Sequence, residues 1–133
     1  MVAPVVVRIC LWQAAAVGSV VVFAPFRATA AGLFDVSTGA FSLIDMPISI
    51  REGPAPLFAG ATAVGGLVVF APMKASVVGL VDVQTRSFRF IDIPRDIRAR
   101  MDDHEKFRGA AAVGNVVVFA PYYGAHGVGV RAP

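Results

Sequence analysis

The sequence predicts an all-β fold made of tandem four-stranded antiparallel units. Three observations carry the prediction. One apolar phrase recurs, as VVVFAP at 20–25, LVVFAP at 67–72 and VVVFAP at 116–121. The chain around it also repeats. Residues 11–46 align without a gap on 58–93 with 18 of 36 positions identical, and 58–72 align on 107–121 with 11 of 15 identical. Finally, the apolar runs are β-branched, show no helical stripe, and are interrupted by glycine or proline within about a dozen residues.

Each repeat divides into short strands. The first is alanine-rich, at 14–17, 61–64 and 110–113. A two-residue turn follows, Gly18-Ser19, Gly65-Gly66 or Gly114-Asn115. Such a turn between apolar runs signals a hairpin, because the primed turns require positive φ. The second strand is the repeated phrase. It is apolar at every position, which predicts cover on both faces, and its proline is expected to close it. The third strand is placed at 32–36 and 79–83, and the fourth at 41–46 and 88–93. The linkers 47–57 and 94–106 differ by two residues, as surface connections tolerate. In the third copy one further residue near Gly124 aligns Val128-Gly129-Val130 on Val78-Gly79-Leu80.

Four strands per period of 47 to 49 residues match the unit of a β-propeller blade. Small alanines suit strands that converge on an axis, and the larger Phe and Ile suit the wider outer region. The order Gly60-Ala61-x-Ala63-Val64-Gly65-x-x-Val68-Val69-Phe70-Ala71-Pro72, then Val78-Gly79-Leu80-x-Asp82-Val83, then Phe88-x-x-Ile91-Asp92-Ile93, resembles kelch-type propeller repeats. The likeness is closest to propeller-like repeat arrays of microbial eukaryotes and covers about 120 of the 133 residues. It differs from kelch in having one double glycine, Gly65-Gly66, and no Tyr/Trp pair per repeat. The resemblance implies a partial propeller over 11–133, with repeats 11–57, 58–106 and 107–133 after a divergent segment 1–10. Two and a half blades fall short of the four a propeller uses. The expectation is therefore a piece of a larger propeller, or a protomer completed by self-association.

Composition narrows the function. At 56% hydrophobic and 16% charged, the chain has ample surface to bury. Net charge is +3 and the arginines are scattered, so no basic stripe points to nucleic acid. The single Cys10 excludes an internal disulfide, and two distant histidines offer no zinc set. The uncharged stretches 53–73 and 109–130 are long enough to span a bilayer, but prolines, glycines and valine runs break them. Arg8, the apolar run after it and Ala28-Thr29-Ala30 loosely imitate a secretory signal. The repeat makes that run a structural strand instead.

Sites are sparse. Asp35 and Asp82 recur near the third-strand end, and Asp45 and Asp92 in the fourth strand. They are read as turn-capping carboxylates rather than a cation ring, since no calcium-loop alternation is present. His126 in the loop 124–129 and His104 in a mixed-charge linker are read as solvated. No nucleophile elbow or phosphate loop occurs. No catalytic residue, metal or cofactor is expected. The positions after the repeated proline vary on a constant frame: Phe26-Arg27, Met73-Lys74 and Tyr122-Tyr123. Repeat arrays build binding surfaces this way. The expected function is a non-catalytic scaffold that binds a protein or other partner, or itself, through the blade-loop residues Phe26, Arg27, Met73, Lys74, Tyr122 and Tyr123. The alternatives are a propeller enzyme or carbohydrate-binding protein with its site on other blades, and a membrane-associated protein, suggested by a mean hydropathy of +0.70.

Overall fold

The computed structural model describes residues 10–96, 106–122 and 128–133. Eleven strands and one short helix are formed by the described residues. Three antiparallel sheets result, each a meander in chain order, and none closes into a barrel. The first holds β1 (Cys10–Val17), β2 (Val20–Arg27), β3 (Ala30–Asp35) and β4 (Ala40–Asp45). A four-residue helix, α1 (Ile48–Arg51), stands in the linker. The second sheet holds β5 (Phe58–Val64), β6 (Leu67–Pro72), β7 (Val77–Asp82) and β8 (Ser87–Asp92). The third holds β9 (Phe107–Val113), β10 (Val116–Pro121) and β11 (Val128–Arg131). The fold is thus all-β, with sheets of four, four and three strands, as incomplete blades would give. Among the described residues no helix is long and apolar enough to cross a membrane.

The sheets stack face on face, with the second in the middle. This arrangement explains the repeated phrase. Successive side chains of a strand point to opposite faces. In β6, Val68 and Phe70 pack toward the first sheet, while Val69 and Ala71 pack toward the third. All four are at most 3% exposed. A strand covered on both sides must be apolar throughout, and β6 is.

The turns follow the sequence. Gly18, Gly65 and Gly114 have φ of 57°, 58° and 58°, and each opens a two-residue hairpin. The first strands begin earlier than the alanine run suggests, because each contains a bulge. Trp12 and Gln13 face the single Ala24, and Ala59 and Gly60 face the single Ala71. β9 has the same irregularity at Arg108. The proline limits pairing on one side only. Pairing of β2 with β3 stops at Phe23↔Gly32, yet β2 continues past Pro25 against β1 as far as Cys10↔Arg27.

The third-strand glycine has a packing reason. A Cβ on Gly79 would lie 2.9 Å from the rings of both Phe58 and Phe88. Those rings, with Phe70, form a triad with centroids 6.0–6.2 Å apart. Gly79 is the floor under it, and Gly32 does the same under Leu11 and Phe41.

Register corrects the alignment of the third copy. Val117 pairs with Val130 and Val118 with Gly129, just as Val68 pairs with Val81 and Val69 with Leu80. Gly129 therefore stands at the place of Leu80, not Gly79, and no extra residue enters the repeat. The physical reason is burial. This register turns Val130 onto the core against the second sheet, and a slip of one residue would turn it outward.

Candidate functional site

The bulges aim one residue of each first strand out of the ladder, a known consequence of a bulge. These residues are Trp12, Ala59 and Arg108. The residues after the repeated proline, Phe26, Met73 and Tyr122, lie beside them. A backbone relay joins the latter across all three sheets. Leu57 N donates to Phe26 O at 2.9 Å, and Met73 N donates to Leu57 O at 2.8 Å. Lys106 N then donates to Met73 O at 2.9 Å, and Tyr122 N to Lys106 O at 2.9 Å. The linkers are thereby stitched under one rim of the molecule. The buried Lys106 adds a side-chain bond, Nζ to Ala75 O at 3.0 Å.

On that rim the side chains form a chain of rings and guanidinium groups. Trp12 stacks on Phe26 at 4.9 Å and 24°. The Arg27 guanidinium carbon sits 5.9 Å from the Phe26 ring centroid. That of Arg108 lies 5.8 Å from the Trp12 ring and 4.8 Å from the Tyr122 ring. Order along the rim is thus Arg27, Phe26, Trp12, Arg108, Tyr122. Trp12 and Tyr122 are each 43% exposed. Stacked guanidinium groups keep their N–H edges for an anionic partner.

The six positions expected from the sequence divide on inspection. Phe26, Arg27 and Tyr122 belong to the rim cluster. Met73 is 2% exposed, so its side chain is core and presents nothing to a partner. The middle repeat is roofed by its two neighbours, which buries the position that is open in the outer ones. Lys74 is half-buried. Tyr123, His104 and His126 lie outside the described residues. Trp12 and Arg108 were not among the six, yet they make the cluster continuous. A signal for them exists: position 12/59/108 varies as Trp, Ala and Arg on an otherwise repeated strand.

The carboxylates do structural work. Asp35 Oδ1 accepts from Ser37 N at 2.9 Å and from Ser37 Oγ at 2.6 Å. The Ser37 hydroxyl, then its amide, hold the Asp35 carboxyl below its ordinary value. Asp82 Oδ1 accepts from Gln84 N at 3.0 Å and Thr85 N at 3.3 Å. Among the described residues no three His, Cys, Asp or Glu side chains are grouped to hold a metal ion.

A cavity of about 310 Å³ opens between the second and third sheets, lined by Val78, Ile91, Ile93, Phe107, Phe119 and Val130 among others. Its origin is the three-stranded third sheet. Between the first two sheets, Phe88 of β8 occupies the corresponding place, and β11 has no following strand among the described residues.

No protein-family model matches the sequence. No curated protein matches it either. Among solved structures, the chain is similar to the crystal structure of the computationally designed Ika4 protein, at 9% identity and a TM-score of 0.46, over 95% of this chain and 93% of that one.

Proposed function

We propose that the chain is a non-catalytic repeat scaffold, built of kelch-like propeller blades, that binds a partner protein through the rim of Arg27, Phe26, Trp12, Arg108 and Tyr122. The supporting observation is the rim itself, where three aromatic rings and two guanidinium groups stand in contact above the backbone relay, with Trp12 and Tyr122 exposed and Phe26 half-buried. Trp, Tyr and Arg are enriched among the residues that carry most of the binding energy of protein interfaces. Side-by-side first strands, β1 against β5 and β5 against β9, support the propeller-like reading.

The partner fitting this chemistry is an extended segment with apolar and carboxylate side chains. Apolar groups would cover the rings, and carboxylates would meet the guanidinium edges. Selecting a displayed random-peptide library against the folded chain tests the reading. Acidic, aromatic-containing peptides should be enriched. Trp12→Ala and Tyr122→Ala should each weaken them at least about tenfold, the loss of roughly 1.4 kcal/mol of binding. Arg89→Ala, on exposed β8, should leave them unchanged. If nothing is enriched, or binding survives both rim substitutions, the reading fails.

A further inference from the structure

The two sheet-to-sheet interfaces in this molecule are the same interface used twice. In each, one face of a sheet packs on the opposite face of the next. The forward face of the first sheet presents Val22, Ala24 and Leu33, and the backward face of the second presents Val68, Phe70 and Val81. The forward face of the second presents Val69, Ala71 and Leu80, and the backward face of the third presents Val117, Phe119 and Val130. These are equivalent positions of the repeat. The stacking is therefore head to tail, and among the described residues it leaves one backward and one forward face without a neighbouring sheet.

Those two faces retain the composition of an interface. The free backward face, on the first sheet, carries Leu11, Val21, Phe23, Phe34 and Phe41. Their counterparts in the second sheet are Phe58, Val68, Phe70, Val81 and Phe88, of which the first four are fully buried. Leu11, Val21, Phe23 and Phe34 are only half-buried, and Phe41 is 53% exposed. The free forward face, on the third sheet, carries Val113, Val116, Val118 and Ala120. Val113 is 75% and Val118 is 44% exposed, whereas Val69, the counterpart of Val118, is 3% exposed. Exposed apolar faces of this kind mark interaction surfaces.

We propose that a second copy of this chain covers these faces, the forward face of the third sheet packing on the backward face of the first sheet of the next copy. The occupant follows from continuity. The two surfaces are the two halves of an interface that the molecule already makes twice, and a second copy brings the missing half in the same orientation. The contact is heterologous, so it closes a ring where the rotation per sheet allows and otherwise extends. This proposal does not depend on the partner-binding rim.

Sedimentation on the intact chain tests it, with one variant per face. The wild type should sediment as a multiple of its 13.9 kDa mass. Val118→Glu disables the forward face and Val21→Glu the backward face, and each alone should give a folded monomer. Mixed, they should form a one-to-one complex, because each supplies the face the other lacks. A monomeric wild type at tens of micromolar would overturn the proposal. So would continued self-association of either variant, since that indicates a symmetric contact. Should either variant lose its strand signal in circular dichroism, Val21→Cys with Val118→Cys in a Cys10→Ser background replaces it. An intermolecular disulfide is then expected, and its absence under oxidation overturns the proposal.

Discussion

Arg86 and Gly39 occupy the same position of successive repeats, in the turn between the third and fourth strands. Gly39 has φ of 71° and Arg86 has φ of 53°. An L-residue held there costs about 1 kcal/mol relative to glycine. Arg86 donates from Nη1 to Ser42 Oγ at 3.1 Å, an exposed bond that offsets little of this cost. Arg86→Gly should therefore raise the melting temperature slightly, and Gly39→Ala should lower it. Asp35 has a pH signature. Its carboxyl is held low in the folded chain, so its contribution is fully present above the unfolded value of about 3.9 and is lost as pH falls through the folded value beneath it. Acid unfolding of Asp35→Asn should be shallower in that range than that of the wild type. Two of the third-strand glycines, Gly79 and Gly129, should behave oppositely. Gly79→Ala forces a Cβ against two packed rings and should cost about 1–3 kcal/mol in denaturant unfolding. Gly129→Ala meets nothing closer than 3.6 Å and should be neutral or stabilising by up to about 1 kcal/mol.

At the scale of the element, the bulged first strand links fold to site. Gly60 sits in the β5 bulge with φ of 128°, and a Cβ there would lie 2.8 Å from Gly109 Cα. The backbones of β5 and β9 touch at this point, so neither can yield as a flexible side chain would. Gly60→Ala should cost about 2–4 kcal/mol, read as a fall in denaturation midpoint. It should also disturb the rim, because the β9 backbone that the new Cβ meets is that of Arg108 and Gly109. The candidate site was half legible in the sequence. Variation after the repeated proline pointed to Phe26, Arg27 and Tyr122. It also pointed to Met73, because burial of the middle repeat is not a local property of its residues. Trp12 and Arg108 were hidden because a bulge changes which face a residue occupies, and alternation alone places neither on the rim.

At the scale of the molecule, the strands, hairpin turns and meander order were written in the repeat. Apolar residues at every position of the second strand foretold cover on both faces. Among the described residues that cover is complete in β6, which has a sheet on each side. In β2 the same phrase leaves Val21 and Phe23 half-buried, and in β10 it leaves Val118 and Ala120 exposed. A linear sequence states that a strand could be covered twice, not whether a neighbour is there. The third repeat was misaligned because its glycine was matched by type. Burial of Val130 decides the register instead. The second sheet is an interior layer between two half-covered ones. Amide hydrogen exchange tests this most directly, at concentrations low enough to keep copies apart. Val68, Val69 and Phe70 of β6 should exchange slowest, β2 and β10 faster, and the outer strands β4 and β11 fastest. Exchange in β6 as fast as in β4 and β11 would contradict the layered arrangement.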